Sequence, residues 1–251
     1  MPADLEGKIA LVTGAARGIG RALALGLAEA GCAVAAADIN QAGAEETAEL
    51  ARGRGVEAIG LPVDVAQTAS VEAMFEAVLG RWSGLDILVN DAGIFPRVSV
   101  MEIDDATWDQ VIGVNLRGTF LCSRAAARVM VPQGRGGRIV NMVSRAAFTP
   151  YPRGAHYAAS KAGVLAFTRS LAIELAPHRI TVNTLAPGAA NTAMPRGGSS
   201  EEQLAATARA NPLGRIAEPE DLVAPLLFLC AESGAYMTGQ TIHVNGGSFM
   251  P

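Results

Sequence analysis

Cysteine is scarce in this chain: Cys32, Cys122 and Cys230 are the only three among 251 residues. They are far apart and odd in number, so they offer neither a disulfide framework nor the spacing of metal ligands. Buried free thiols in a reducing cytosol are the expectation, with no metal site and a cytoplasmic location. Aromatic residues make up 5% of the chain and charged residues 18%. The net charge of −4 leaves no global field to draw nucleic acid or an acidic membrane. No apolar run approaches the ~20 residues needed to cross a bilayer. A short polar lead runs straight into Lys8-Ile9-Ala10-Leu11-Val12. It lacks the basic start, apolar stretch and cleavage site of a signal peptide. No repeat, linker or break in composition divides the chain.

Half of the residues are apolar and 28 are glycine, which suits a tightly packed α/β domain with many turns. Short apolar runs at 9–12, 33–37, 57–63, 85–89, 138–143, 180–185 and 241–244 read as strands. Helical patterns lie between them at 18–30, after Gln41, and at 68–82, 104–130, 157–176 and 218–231. Seven strands alternating with six helices imply a Rossmann-type, doubly wound parallel sheet flanked by helices, one domain over 1–251. Ligands of such sheets sit beyond the carboxyl ends of the strands. Gly14, Asp38, Asp64, Gly93, Ser144 and Pro187 all fall there.

The first strand ends in Thr13-Gly14-Ala15-Ala16-Arg17-Gly18-Ile19-Gly20 and opens a helix. Strand, glycine turn and helix N-terminus together cradle a pyrophosphate, because the backbone approaches closely and presents free N–H groups. Asp38 ends the second strand at the distance expected of an acid that binds the adenosine ribose hydroxyls, with Ile39 next to it. A helix cap is the alternative role for Asp38. A carboxylate there accepts from both ribose hydroxyls of NAD and meets the 2′-phosphate of NADP as a like charge. Each such pair repels by at most about 4 kcal/mol at ~4 Å and an effective dielectric near 20. Arg17 is the counterweight: it can reach a 2′-phosphate, pair with Asp38 or face solvent. NAD is the expected cofactor, with NADP second.

Tyr157 and Lys161 stand four residues apart in Ala-rich sequence, on one helix face one turn apart. A cation beside a phenol favours the phenolate and lowers its ordinary pKa of ~10. Such a pair can give or take a proton near neutrality.

These residues together resemble the short-chain dehydrogenase/reductase family over nearly the whole chain, from Lys8 to Gly247. The glycine pattern is Thr-Gly-x3-Gly-x-Gly; Asn-x-Ala-Gly appears as Asn90-Asp91-Ala92-Gly93; and Tyr-x-x-x-Lys appears at Tyr157 and Lys161. The helix asparagine and the serine of the family match Asn115 and Ser144. Pro187, Gly188 and Thr192 match its Pro-Gly and nicotinamide-binding Thr, and the ending Thr238-Gly239-Gln240 to Asn245-Gly246-Gly247 is similar too.

The resemblance implies that Tyr157 is the general acid or base and that Ser144 holds the substrate oxygen. It implies that Lys161 lowers the Tyr157 pKa and binds the nicotinamide ribose, while Asn115 holds a water in a proton relay. The cofactor set it implies is Gly14, Arg17, Gly18, Ile19, Gly20, Asp38, Ile39, Asp64, Val65, Asn90, Ala92, Gly93, Tyr157, Lys161, Pro187, Gly188, Ala190 and Thr192. Asp64 and Val65 would flank the adenine. The resemblance also implies a homotetramer built on helices 104–130 and 157–176; the small residues of the second suit close packing, as they would suit a monomer core. One departure is Asp91, where the family usually has Asn. A carboxylate only accepts, so a strand hydrogen bond is expected to suffer, at a cost in stability and with no direct catalytic role.

Substrate choice is expected in the loops around Phe95-Pro96-Arg97 and 145–156, and in the segment 189–213, which is either a lid or a surface loop. Phe95, Phe148, Tyr151 and Met194 either line an apolar pocket or serve as core and surface residues. Arg97, Arg145 and Arg153 either meet an anionic substrate or face solvent. His156, beside Tyr157, faces the site or points away. The first functional reading is NAD(H)-dependent interconversion of a secondary alcohol and its ketone. The second is an NADPH-dependent 3-oxoacyl thioester (acyl carrier protein) reductase, against which Asp38 and the negative charge count. A non-catalytic dinucleotide sensor is the third. The expected partner is a small-molecule alcohol or ketone, with no nucleic acid and no membrane.

Overall fold

In a computed structural model, residues 3–193 and 200–250 are described. Seven strands form one parallel sheet: β1 Ile9–Thr13, β2 Ala33–Asp38, β3 Ala58–Pro62, β4 Ile87–Asn90, β5 Gly137–Met142, β6 Ile180–Pro187 and β7 Thr241–Val244. Their order is β3-β2-β1-β4-β5-β6-β7. The chain winds outward from β1 in both directions, which opens a crevice beyond the ends of β1 and β4.

Alternating side chains of each strand feed two separate cores. Ala10, Val12, Val34 and Val89 pack with Leu23 and Leu27 of α1 (Gly18–Glu29), Ala48 of α2 (Gln41–Arg52) and Leu226. Leu11, Ala35, Leu88 and Ile139 pack on the other face with Met74 and Val78 of α3 (Thr68–Trp82) and with Leu121 and Met130. Each fully buried Leu contributes roughly 1.5–3 kcal/mol. Both faces are covered, as a parallel sheet requires. No helix among the described residues is long and apolar enough to cross a membrane.

A polar row crosses the sheet one residue below its carboxyl edge. Thr13 is in register with Asn90, Asn90 with Asn141, and Asn141 with Thr184. Asn90 Nδ2 donates to Asn141 Oδ1 at 2.8 Å and to Ser123 Oγ at 3.0 Å; Asn141 Nδ2 donates to Thr168 Oγ1 at 2.8 Å. These buried hydrogen bonds fix the relative placement of β4, β5 and the helices behind them, while Asn90 Oδ1 is left without a partner.

The helix read over 104–130 is not continuous. It comprises α4 (Asp105–Ile112), a π turn over Gly113–Arg117 and α5 (Gly118–Gln133). Asn115 lies in the π turn, where the wider hydrogen-bond spacing breaks the ladder; such turns recur at functional sites. The remaining helices are α6 (Ala155–Leu175), α7 (Glu201–Ala210) and α8 (Val223–Cys230), the last entered through a 3-10 turn over Pro219–Leu222.

Candidate active site

The glycine turn is shaped by what its carbonyls do. Thr47 Oγ1 donates to the Ala15 carbonyl at 2.7 Å, and Arg21 donates to that of Ala16 at 2.6 Å. No side chain at its N-cap, Arg17, closes the start of α1, so helix N–H groups remain for an anion. A Cβ at Gly14 would meet the Ala92 backbone nitrogen at 2.7 Å, and one at Gly20 would collide with the Gly14 carbonyl oxygen. Only glycine lets β1, α1 and the exit of β4 converge here.

A cavity of about 680 Å³ opens beyond this turn. Of the residues expected to hold a dinucleotide, Gly14, Arg17, Gly18, Ile19, Asp38, Ile39, Asp64, Val65, Ala92, Gly93 and Thr192 line it. Thr192 crosses from the far end of β6 to the turn: a Cβ at Gly18 would lie 3.3 Å from its methyl group. Asp38 Oδ2 accepts the Ala16 N–H at 3.0 Å and Oδ1 accepts that of Asn40 at 2.9 Å. Asp64 Oδ1 accepts the Ala66 N–H at 3.0 Å. Asn90 stands apart, buried in the polar row with its amide committed there. Ala190 pairs with Ala217 in a short parallel bridge. A cradle that a Cβ would fill, an acid at the end of β2 and a cavity of this size fit a nicotinamide dinucleotide.

The residues expected to transfer the proton gather past the end of β5 and in the first turns of α6. Tyr157 and Lys161 are both buried on α6. Lys161 Nζ donates to the Met142 carbonyl at 2.8 Å and lies 5.9 Å from the centre of the Tyr157 ring. Ser144 opens a 3-10 turn over Arg145–Ala147, its hydroxyl accepts the Ala146 N–H at 3.2 Å, and it neighbours the Tyr157 phenol. Asn115 Oδ1 accepts the Ile94 N–H at 2.8 Å, and its Nδ2 donates to the Ile94 carbonyl at 3.0 Å and to Ser160 Oγ at 3.1 Å. The side chain thereby joins the π turn, the segment after β4 and α6. Gly93 completes the corner: a Cβ there would lie 3.3 Å from Asn115 Oδ1 and 3.6 Å from Lys161 Nζ.

Two expectations need correction. Lys161 does not hold the Tyr157 pKa low. Burial pushes the phenol up to about 12, and the Ser144 hydroxyl only partly offsets this. Burial likewise pulls the Lys161 ammonium down to about 8. Asp91, expected from sequence to weaken a strand hydrogen bond, lies just past the end of β4 with a carboxylate oxygen close to Gly20 of α1, 2.8 Å from where a Cβ there would stand. The amide work of the sheet falls to its neighbour Asn90.

The loops sort the remaining candidates. The Phe95 ring lies against Tyr157 at 4.5 Å between centroids and against Tyr151 at 5.4 Å. Phe148 turns away to His243 and Phe249, at 4.8 and 5.5 Å. Arg97 lies over the Phe95 ring, while Arg153 faces Glu102 at 4.0 Å. His156 is fully buried beside the Pro96 backbone. Met194 and the stretch 194–199 of the expected lid lie outside the described residues. Gln110, Val114 and Ile94 also line the cavity, which their place in a helix pattern and after a strand gave no reason to expect.

A family model described as enoyl-(acyl carrier protein) reductase matches residues 14–248. The chain is 42% identical to a 3-oxoacyl-acyl-carrier-protein reductase, FabG, of Aquifex aeolicus, covering 99% of this chain and 100% of that protein. It is 38% identical to the 2-dehydro-3-deoxy-D-gluconate 5-dehydrogenase of Escherichia coli, covering 97% and 96%. A crystal structure of a short-chain type dehydrogenase/reductase from Mycobacterium marinum superposes with a TM-score of 0.94 at 36% identity, over 99% of this chain and 98% of that one.

Proposed function

Because this chain belongs to the short-chain dehydrogenase/reductase family, we propose that it is a ketoreductase that turns the 3-oxo group of an acyl thioester into a hydroxyl. The chemistry rests on one observation: Tyr157 and Ser144 are neighbours, and the Tyr157 ring packs on Phe95, which lines the glycine-turn cavity. Ser144 holds the substrate oxygen. Tyr157, kept neutral by burial, donates the proton to that oxygen, which is the acid's role in reduction. Lys161 steadies the developing charge and binds the nicotinamide ribose. Asn115 holds the relay water behind it, its side chain fixed by Ile94 and Ser160. A bound nicotinamide dinucleotide supplies the hydride.

Gly14, Gly18, Ile19 and Gly20 would hold the pyrophosphate, and Asp38 the adenosine ribose, with Arg17 and Ile39 beside it. Asp64 and Val65 would flank the adenine, while Asn90, Ala92, Gly93, Pro187, Gly188, Ala190 and Thr192 shape the nicotinamide half. The segment 189–213 serves as the lid, fastened by the Ala190–Ala217 bridge and by Asn211 Nδ2 on the Asn245 carbonyl at 3.0 Å. Trp108, Phe120 and Ile173 expose apolar surface on α4, α5 and α6, which supports a homotetramer built on these helices.

Likeness to 3-oxoacyl-acyl-carrier-protein reductases at about 40% identity favours the thioester reading over the general secondary-alcohol one. Asp38 favours NADH over NADPH, and that keeps the NAD-dependent alcohol/ketone reaction as the second reading. A panel followed by nicotinamide absorbance separates them: an acetoacetyl thioester, simple ketones and secondary alcohols, each with both cofactors. Turnover greatest on the thioester supports the first reading. Turnover confined to simple alcohols and ketones replaces it with the second. No turnover on any member, with dinucleotide still bound, leaves the sensor.

A further inference from the structure

Asp91 is half-buried and lines the cavity. One carboxylate oxygen stands close to Gly20 at the start of α1. The Gly14 carbonyl oxygen crowds the same spot: a Cβ at Gly20 would collide with it and would lie 2.8 Å from an Asp91 carboxylate oxygen. A carbonyl and an ionised carboxylate both only accept, so an ionised Asp91 stands near a second acceptor at this corner. A protonated carboxyl supplies the donor the corner lacks.

The surrounding charges do not settle the matter in favour of ionisation. From α6 the Lys161 ammonium favours the carboxylate, and the Tyr157 phenol stands beside it. From β2 the Asp38 carboxylate opposes it. Arg17, at the cap of α1, lies on the cavity rim, and Asn115 on the π turn carries no charge. Burial prevails over Lys161 and pushes Asp91 up to about 7.

We propose that Asp91 couples dinucleotide binding to a proton: it takes one up from solvent when a pyrophosphate-bearing dinucleotide settles at the glycine turn and returns it on release. This rests on the dinucleotide reading above. A pyrophosphate brings negative charge to the very N-terminus beside which the carboxylate stands. Ionised, Asp91 competes with it and repels it; protonated, it does neither. The proton moves between Asp91 and water, and no bond of the substrate is involved. Asp91 is thus a positioning residue, distinct from the acid Tyr157.

Calorimetric titration of NADH into the full chain, in two buffers of different ionisation enthalpy, reads the proton directly. The wild type is expected to take up about half a proton per site near pH 7, rising toward one about a pH unit higher. Its affinity then falls by up to about tenfold per pH unit above about pH 7. Asp91→Asn is expected to bind NADH with no uptake and a flat profile. Lys161→Met, read for binding only, removes the counter-cation and moves the uptake to more alkaline pH. Adenosine, which carries no pyrophosphate, is expected to bring no uptake. Binding without uptake in the wild type overturns the proposal. So does uptake that survives in Asp91→Asn, or uptake that vanishes at every pH in Lys161→Met and so marks the ammonium as its source. Absence of any NADH binding is a separate failure, that of the dinucleotide reading itself.

Discussion

Asp38 and Ala16 are joined by a hydrogen bond of 3.0 Å from the Ala16 N–H to a carboxylate oxygen, while the other oxygen accepts the Asn40 N–H. The end of β2 is therefore fastened to the glycine turn before any ligand arrives, and the carboxylate is held at the cavity wall. Removing it does two things. Asp38→Ala is expected to shift the NADH-to-NADPH affinity ratio toward NADPH by about tenfold, a modest part of the like-charge repulsion. It also strips two backbone donors of their acceptor, at about 1–3 kcal/mol of stability. Dissociation constants for both dinucleotides, with a melting curve, check both effects. An unchanged ratio removes Asp38 from its assigned role.

Two glycine-to-alanine changes should part company. At Gly20 the added Cβ collides with the Gly14 carbonyl, so Gly20→Ala is expected to lose dinucleotide binding. Gly80 is in α3 and exposed, with nothing within 4 Å of an added Cβ. Gly80→Ala is expected to leave binding unchanged and to stabilise the fold by ~0.5–1 kcal/mol, because alanine is the better helix residue. Calorimetric binding and thermal melts of the two variants distinguish a turn that must approach backbone from a helix position that need not.

Tyr157 is expected to titrate above an ordinary tyrosine. Burial holds its phenol up to about 12, against 10.0 for the exposed side chain. The folded state therefore keeps this proton longer than the unfolded chain. The associated stability is complete below pH 10 and is lost as pH rises toward about 12. Phenolate absorbance of the wild type minus that of Tyr157→Phe isolates this group from Tyr151 and Tyr236. A difference titration centred below 10 would show that Lys161, and not burial, sets the phenol.

Much of this was legible along the chain because it depends on local pattern. Strands β1 to β7 announce themselves as short apolar runs ending in polar turns. The break at Gly113–Arg117 was not legible, since a π turn leaves the apolar periodicity on either side intact. Asp91 escaped for a different reason. Its partner, Gly20, is distant in sequence and meets it only because β1 and β4 are neighbours in the sheet. Phe148 likewise finds Phe249 only through folding. The direction of the Tyr157 pKa was misjudged because sequence shows a neighbouring cation but not the depth of burial.

Tyr157→Phe removes one oxygen atom and nothing else from the corner. The direct measurement pairs its turnover of an acetoacetyl thioester with its calorimetric affinity for the reduced dinucleotide. The expected result is loss of turnover with dinucleotide affinity close to that of the wild type. Turnover retained near the wild-type rate would contradict the assignment of Tyr157 as the proton donor.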